Sequence, residues 1–380
     1  MTNPKLDPGR RAARVLVLAA GIALAAATAS AQRYIQHNLV SDVPGLAAFT
    51  DPNLVNAWGI ASSASGPIWV ANNGTGTSTV YRGNGTALPL VVTIPPGAAN
   101  TEDGGVPTGL VFNGTGQFMV TENSVSKPAV FIFAGEDGTI SGWNPAVDAT
   151  HAVLPASADL SSTGAIYKGL ALGATASGNF LYATDFHDGF VQVFDSTFTP
   201  TTTFTDPALV ALGFAPFGIA NIGGDLYVSF AKQDADAEDD VAGPGNGYID
   251  VFDTSGTMIK QFAANGTLNS PWGMTVAPGN FGAFSHALLV GNFGDGRINA
   301  FDPVTGALLG QFLKPSGQPL EIDGLWGLHF GNGGQGGAAN LLFFTAGPED
   351  ESHGLFGSLR AIPAVAGTPP PSPALVHGRH

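Results

Sequence analysis

One short phrase governs what this chain can fold into. An aromatic or polar residue, a glycine and an apolar run recur as AWGIA at 57, PTGLVF at 107, YKGLAL at 167, PFGIAN at 216, PWGMTV at 271 and LWGLHF at 325. Their glycines, Gly59, Gly109, Gly169, Gly218, Gly273 and Gly327, lie 50, 60, 49, 55 and 54 residues apart. Behind each phrase come a turn, a second apolar run, a polar step and two further runs joined by a tight turn. In the second copy TGLVF is followed by NGTG, QFMVTEN, AVFIF, GEDG and TISGW. Asn-Gly and Asp-Gly between alternating runs are hairpin signals, because Asn and Gly accept positive φ. The third strands of the other repeats read STVYR (78–82), GFVQVFD (189–195), GYIDVFD (247–253), GRINAFD (296–302) and FGSLRAI (356–362).

Four-stranded repeats of this length are propeller blades. The expected fold is therefore all-β, a six-bladed β-propeller of four-stranded blades over residues 32–362. The last repeat has only three strands, and RYIQHNLVSD (33–42) is expected to supply its outer strand, closing the ring so that no long edge stays open. Each phrase then opens the innermost strand of a blade, where glycine lets neighbouring backbones approach near the axis. The large residues before it, Trp58, Phe217, Trp272 and Trp326, are read chiefly as packing between blades, and secondarily as rings at the channel mouth.

Composition agrees with this. With 53 Gly, 27 Pro and only 11% charged residues, the chain favours tight turns over long salt-bridged helices. It has no cysteine, which excludes disulfides, zinc-thiolate sites and thiol nucleophiles. Residues 1–31 read as a signal peptide: Arg10, Arg11 and Arg14 precede the apolar run 15–27, and Ala29-Ser30-Ala31 supplies small residues for cleavage. The run is shorter than the roughly 18 residues of a membrane span, so export to the periplasm or beyond, without stable membrane insertion, is expected. Residues 363–380, PAVAGTPPPSPALVHGRH, read as a disordered Pro-rich tail. Cleavage leaves 10 Lys and Arg against 28 Asp and Glu, a net charge near −18, which argues against nucleic acid and favours cations. A monomer binding a small molecule, a glycan or a protein is expected.

The ring also maps a site. The connection entering an inner strand and the one leaving the second strand share a face, since the two strands are antiparallel. Leaving second strands are Asn72 and Asn73, Glu122 and Asn123, Asp185 with His187, Lys232, Asn292, and Glu349 with Asp350; Asn56, Asp103, Tyr167 and Asp323 enter inner strands. The channel-mouth candidates are Asn73, Glu122, Asn123, Asp185, His187, Lys232 and Asn292, with Trp58, Trp272 and Trp326. Carboxylate and amide oxygens converging there suit Ca²⁺ or Mg²⁺, with Glu122, Asn123, Asp185 and Asn292 as ligands; the competing reading is that these residues only end strands and form turns. With an ion bound, a carboxylate or His187 could serve as base toward a metal-activated water. The insertion AKQDADAEDDVAGPGNG (231–247) carries Asp234, Asp236, Glu238, Asp239 and Asp240, either a cation clamp through Asp234, Asp236 and Asp240 or a solvated acidic loop. It is not an EF-hand, because its sixth position is Asp239 and its twelfth Gly245.

Other motifs fail. GNGGQG (331–336) joins two strands with no helix behind it, so it makes no phosphate cradle. Asn-Gly-Thr at Asn73, Asn84, Asn113 and Asn265 is better explained by turns than by glycosylation.

PTGLVFNG, PFGIANIGGDLYVSFAKQDADAEDDVAGPGNGYIDVFD and SPWGMTVAP resemble a family of secreted bacterial proteins of the NHL-repeat-like propeller type, over residues 33–362. The resemblance implies a six-bladed propeller outside the cytoplasm and no established activity. The function expected is an exported binding or scaffold propeller with a polar, acidic channel mouth. The alternative is a divalent-metal-dependent hydrolase or lactonase similar in plan to gluconolactonase-type propellers, with Glu122, Asn123, Asp185 and Asn292 as ligands by blade position only. A quinone-cofactor dehydrogenase is a weaker third reading, since such propellers usually carry more blades.

Overall fold

The computed structural model describes residues 32–100 and 104–363. The leader of residues 1–31, Asp103 and the tail from residue 364 lie outside the described residues.

Six blade sheets, built on antiparallel pairs, follow one another along the chain, each containing one of the glycine phrases as its inner strand. Blade one comprises Ala57–Ser62, Ile68–Asn72, Thr77–Tyr81 and Ala87–Thr93. Blade three comprises Tyr167–Thr175, Gly178–Asp185, Phe190–Phe194 and Pro200–Phe204. Blade four comprises Phe214–Ile222, Asp225–Lys232, Gly247–Phe252 and Met258–Ala264. Blade five comprises Pro271–Val276, Leu288–Asn292, Ile298–Phe301 and Leu308–Gln311. In blade six, Leu325–Phe330, Leu342–Ala346 and Leu355–Ala361 are completed by the N-terminal strand Tyr34–Ser41. That strand pairs antiparallel with the last, from Tyr34 opposite Ala361 to Ser41 opposite Leu355, and closes the ring. Its seam is packed by Tyr34, whose ring stacks on Phe312 at 3.7 Å between centroids beside Phe281 and Phe284.

The repeated phrase is a structural device. Pairing of inner with second strand skips between Ala57 and Ile60, Tyr167 and Gly169, Pro216 and Ile219, Pro271 and Met274, and Leu325 and Leu328. Each skip is a bulge at the glycine or, in blade three, at Lys168 just before it. A Cβ there would strike the next blade's inner strand: Gly59 meets Thr108 and Leu110, Gly109 meets Gly169 and Leu170, Gly169 meets Phe217, Gly218 meets Trp272, Gly273 meets Trp326, and Gly327 meets Trp58. The contacts form a closed cycle, so the phrase recurs because six backbones must touch around one axis. Hydroxyls beside the bulges bond to the same neighbour: Thr108 Oγ1 donates to the Tyr167 carbonyl at 2.6 Å and Thr184 Oγ1 to the Phe217 carbonyl at 2.7 Å.

Blade two departs from the expected order. QFMVTEN is not its second strand. The inner strand Pro107–Phe112 pairs directly with Phe131–Gly135, which pairs with Ile140–Trp143. Met119–Glu122 and Val125–Pro128 form a separate hairpin whose Asn123 and Ser124 both have positive φ, 47° and 64°. The reason is burial. A second strand is covered on both faces and must be apolar throughout; FIFAG is buried at every position, whereas MVTE buries only Val120. The fourth position of this blade is filled by the 144–166 connection through single bridges, Gly142 to Val153 and Thr139 to Asp159.

Candidate functional site

The face on which inner strands begin and second strands end, here called the top, carries the polar convergence. Trp58, Trp272 and Trp326 meet on the axis beneath it. Trp326 is sandwiched between Trp58 and Phe293, with centroids 3.5 Å and 4.0 Å away, and Trp272 stands edge-on to both Trp58 and Trp326. The three indoles are 1%, 9% and 1% exposed, so they plug the channel instead of lining an open mouth. Trp272 crosses the axis: its Nε1 donates to the Lys168 carbonyl of blade three at 3.1 Å. Below it a cavity of about 170 Å³ is lined mainly by the glycine phrases and by His329.

Lys168 lies on the plug. It is 3% exposed, with Nζ 5.5 Å from the Trp58 centroid and 5.9 Å from that of Phe186, a cation held over aromatic faces. Nζ donates to Glu136 Oε1 at 2.5 Å and lies 3.4 Å from Asp239 Oδ1. Glu136 Oε2 accepts from Asn73 Nδ2 at 2.7 Å, and Asn73 Oδ1 accepts from Asn56 Nδ2 at 3.2 Å. Asn56 Nδ2 also donates to Glu351 Oε2 at 3.1 Å, and Asn56 Oδ1 accepts from Trp58 Nε1 at 2.9 Å. Carboxylates from blades two, four and six thus surround one ammonium from blade three. Glu351 is delivered by an unusual backbone: Glu349, Asp350 and Glu351 all have left-handed φ, 57°, 51° and 65°. Such residues are costly for L-amino acids and persist where surrounding structure holds them.

The charges respond accordingly. Burial is the largest influence on Lys168 and works against its charge, but Glu136 by charge and hydrogen bond, joined by Asp239 and Glu351, makes the net shift upward. Burial, and then the Glu136 charge, raises Glu351 to about 7. Burial also raises Asp240. The mouth therefore holds more carboxyl groups than its one ammonium neutralises.

Of the residues singled out in the sequence, Asn73 and the three tryptophans come together here. Asp239 of the acidic insertion folds back over the face to reach Lys168, and Asp240 is half-buried beneath it. Asp236 is exposed, and Asp234 Oδ1 accepts from the Glu238 amide within the loop. Asp185 is buried and accepts from the Ile166 and Asp188 amides; burial raises it to about 6. His187 is exposed. Lys232 points aside, donating to the Leu212 carbonyl at the end of the short helix Pro207–Ala211. Asn292 turns into its own blade, donating to the Thr267 carbonyl and to Asp295. Glu122 and Asn123 are corrected: they form the exposed tip of the blade-two hairpin, which springs from the bottom end of the inner strand. The four proposed Ca²⁺ or Mg²⁺ ligands therefore do not converge, and the residues do not fit a metal. Among the described residues no group of three or more His, Asp or Glu side chains is arranged to hold an ion, and Asp234, Asp236 and Asp240 make no such group.

Glu136 and Glu351 were not foreseen. Once Phe131–Gly135 is taken as the second strand, Glu136 falls at the blade position of Asn73, so apolarity of the run was the signal that could have found it. Glu351 depends on the left-handed turn, which nothing in PEDES announces.

The fold and this plugged, acid-rimmed channel define a six-bladed β-propeller. No protein-family profile matches the chain. It is 37% identical over 331 residues to the uncharacterised protein R648 of Acanthamoeba polyphaga mimivirus, covering 84% of this chain and 78% of that one. It is 34% identical over 334 residues to the uncharacterised protein L690 of the same virus, covering 84% of each. The chain belongs to the family of these mimivirus proteins. They are viral, so the bacterial attribution of the sequence resemblance is not carried by them. Among solved structures, a streptogramin B lyase aligns with TM-score 0.49 and 15% identity over 87% of this chain and 98% of its own. Virginiamycin B lyase from Staphylococcus aureus aligns with TM-score 0.46 and 14% identity, over 87% of this chain and all of its own.

Proposed function

We propose that this chain is an exported binding propeller whose channel mouth takes a small ligand carrying positive charge. The observation that supports the reading is the ring of Glu136, Asp239 and Glu351, from three different blades, around the single ammonium of Lys168. Glu351, raised to about 7, is a carboxyl whose charge is suppressed by its neighbours; an arriving cation would stabilise the ionised form and release a proton. Export rests on the basic, apolar and small-residue pattern of residues 1–31. A metal-dependent hydrolase at Glu122, Asn123, Asp185 and Asn292 gains no support, because those residues lie apart.

Calorimetric titration of the chain without its leader, with hexylamine, butyrate and butanol as cationic, anionic and neutral probes, tests the reading. The expected result is binding of hexylamine alone, weakened by salt, with a heat that depends on the ionisation enthalpy of the buffer. Glu351→Gln should weaken binding about fivefold, the size of one charge-assisted hydrogen bond in a partly exposed site. Binding of butyrate in preference to hexylamine, or no effect of Glu351→Gln, would overturn it.

A further inference from the structure

The cavity of about 170 Å³ beneath the plug is a blind well closed above by Trp272. It opens on the bottom face: Ile60, Ile219, Ala220, Thr275 and His329 along its walls keep partial exposure, whereas Trp272 above them is buried. Most side chains around it are apolar, yet more of its wall is polar than apolar, and topology gives the reason. Each inner strand stands at the edge of its sheet, so one row of its N–H and C=O groups has no ladder partner. Near the axis these rows face the well, at glycines that carry no side chain to cover them. The space holds roughly five waters at the ~30 Å³ each takes in the liquid.

His329 adds one directed donor. Asn332 is locked by its own network: Nδ2 donates to the Ser63 and Gly66 carbonyls at 2.8 Å each, and Oδ1 accepts from the Gly334 and Gly336 amides at 3.0 and 3.1 Å. The Ser62 hydroxyl oxygen lies 3.3 Å from that donor nitrogen and 2.9 Å from His329 Nε2. Ser62 therefore turns its lone pairs to Asn332 and its hydrogen to Nε2, which leaves the imidazole proton on Nδ1. Burial pulls His329 down to about 4, so the ring is neutral near pH 7. Nδ1 is neither hydrogen-bonded nor sealed among the described residues, and the open space beside the ring is the well. Among the described residues no charged side chain lines it. A carboxylate or an ammonium would lose its hydration there without gaining a counter-charge. A hydroxyl group, which both donates and accepts, matches a wall of N–H and C=O groups with one imidazole N–H. Carbon–hydrogen faces between hydroxyls suit the indole of Trp272.

We propose that the well below the plug binds a small uncharged polyol, of the bulk of glycerol or erythritol, with one hydroxyl oxygen accepting from His329 Nδ1. The site is distinct from the acidic mouth, from which Trp58, Trp272 and Trp326 wall it off.

Saturation-transfer NMR on the full chain with erythritol, butyrate and butanol as polyol, anionic and single-hydroxyl probes tests it. Erythritol should bind at least about fivefold more tightly than either of the others, the ratio that one net hydrogen bond provides. His329→Phe keeps a ring and deletes the donor, and should weaken erythritol about fivefold. Because that change also strands Ser62, Thr275→Phe is the second variant: it fills the opening without touching His329 and should abolish erythritol binding. Saturating hexylamine should leave erythritol binding unchanged, so failure of the cationic reading of the mouth leaves this site standing. Erythritol bound no more tightly than butanol, displaced by hexylamine, or untouched by both variants overturns the assignment. Absence of erythritol binding overturns it too, as a well that holds water only.

Discussion

The indole N–H of Trp272 in blade five donates to the main-chain carbonyl of Lys168 in blade three, 3.1 Å away across the axis. One bond thereby joins two blades that are not neighbours in the ring, and it holds the residue whose ammonium organises the acidic mouth. Trp272→Phe keeps most of the ring packing and deletes the donor, leaving a buried carbonyl unpaired at a cost of about 1–3 kcal/mol. Urea unfolding followed by circular dichroism should show that loss, and hexylamine binding should weaken with it.

Lys168 and Glu136 form a buried pair, and breaking one side is worse than removing both. Glu136→Ala strands the ammonium beneath Asp239 and Glu351, with an expected loss of about 3 kcal/mol. Lys168→Met combined with Glu136→Gln should recover most of it. A double-mutant cycle on unfolding midpoints measures the coupling.

The glycine cycle predicts a contrast. In Gly218→Ala the new methyl meets the Trp272 carbonyl and the Ser229 hydroxyl, while in Gly116→Ala it meets nothing within 4 Å. The first should cost about 3 kcal/mol or more, and the second should be neutral to slightly stabilising, by up to about 1 kcal/mol. Equal melting temperatures for the two variants would contradict the inter-blade contact.

At the seam of the ring, Tyr34 is fully buried against Phe312, Phe281 and Phe284. Tyr34→Ala should cost about 3–5 kcal/mol, more than the same change at a single outer strand would suggest, because the N-terminal strand is the closure. Limited proteolysis near residues 42–48 should accelerate in the variant.

Two sets of carboxyls oppose one another in pH dependence. Asp250 is fully buried beside Asp206; burial, and then Asp206, raise it to about 7, as burial and Glu136 do for Glu351. The folded chain keeps those protons after the unfolded chain has released them, so their stabilisation is complete below about pH 4 and lost as pH rises to about 7. Asp253, lowered by the Ser255 hydroxyl and the Thr257 amide, acts oppositely, and its share is lost as pH falls below about 4. The urea midpoint should therefore be higher at about pH 5 than at about pH 8, and Asp250→Asn should flatten the difference, of order 3 kcal/mol.

The repeat by itself determined the architecture. Six copies of a glycine phrase, each leading a series of short apolar runs, admit a propeller and little else, and the three-stranded last repeat already required the N-terminal strand that pairs from Tyr34 to Ser41 with residues 355–361. Backbone contact at Gly59 through Gly327 depends only on the absence of a side chain, which a sequence states outright. The site was only half determined. Asn73 and the tryptophans fell where blade position put them, because they sit on the repeated phrase or at the end of a regular second strand. Glu122 and Asn123 were displaced when the hairpin of blade two left the sheet, a choice decided by which run could be buried on both faces. Glu136, Asp239 and Glu351 lie 103 and 112 residues apart in sequence and meet only because the ring closes, the acidic loop folds inward and three consecutive left-handed residues turn Glu351 toward Asn56. Charge convergence of this kind is a property of distances between blades, and those exist only in the tertiary structure.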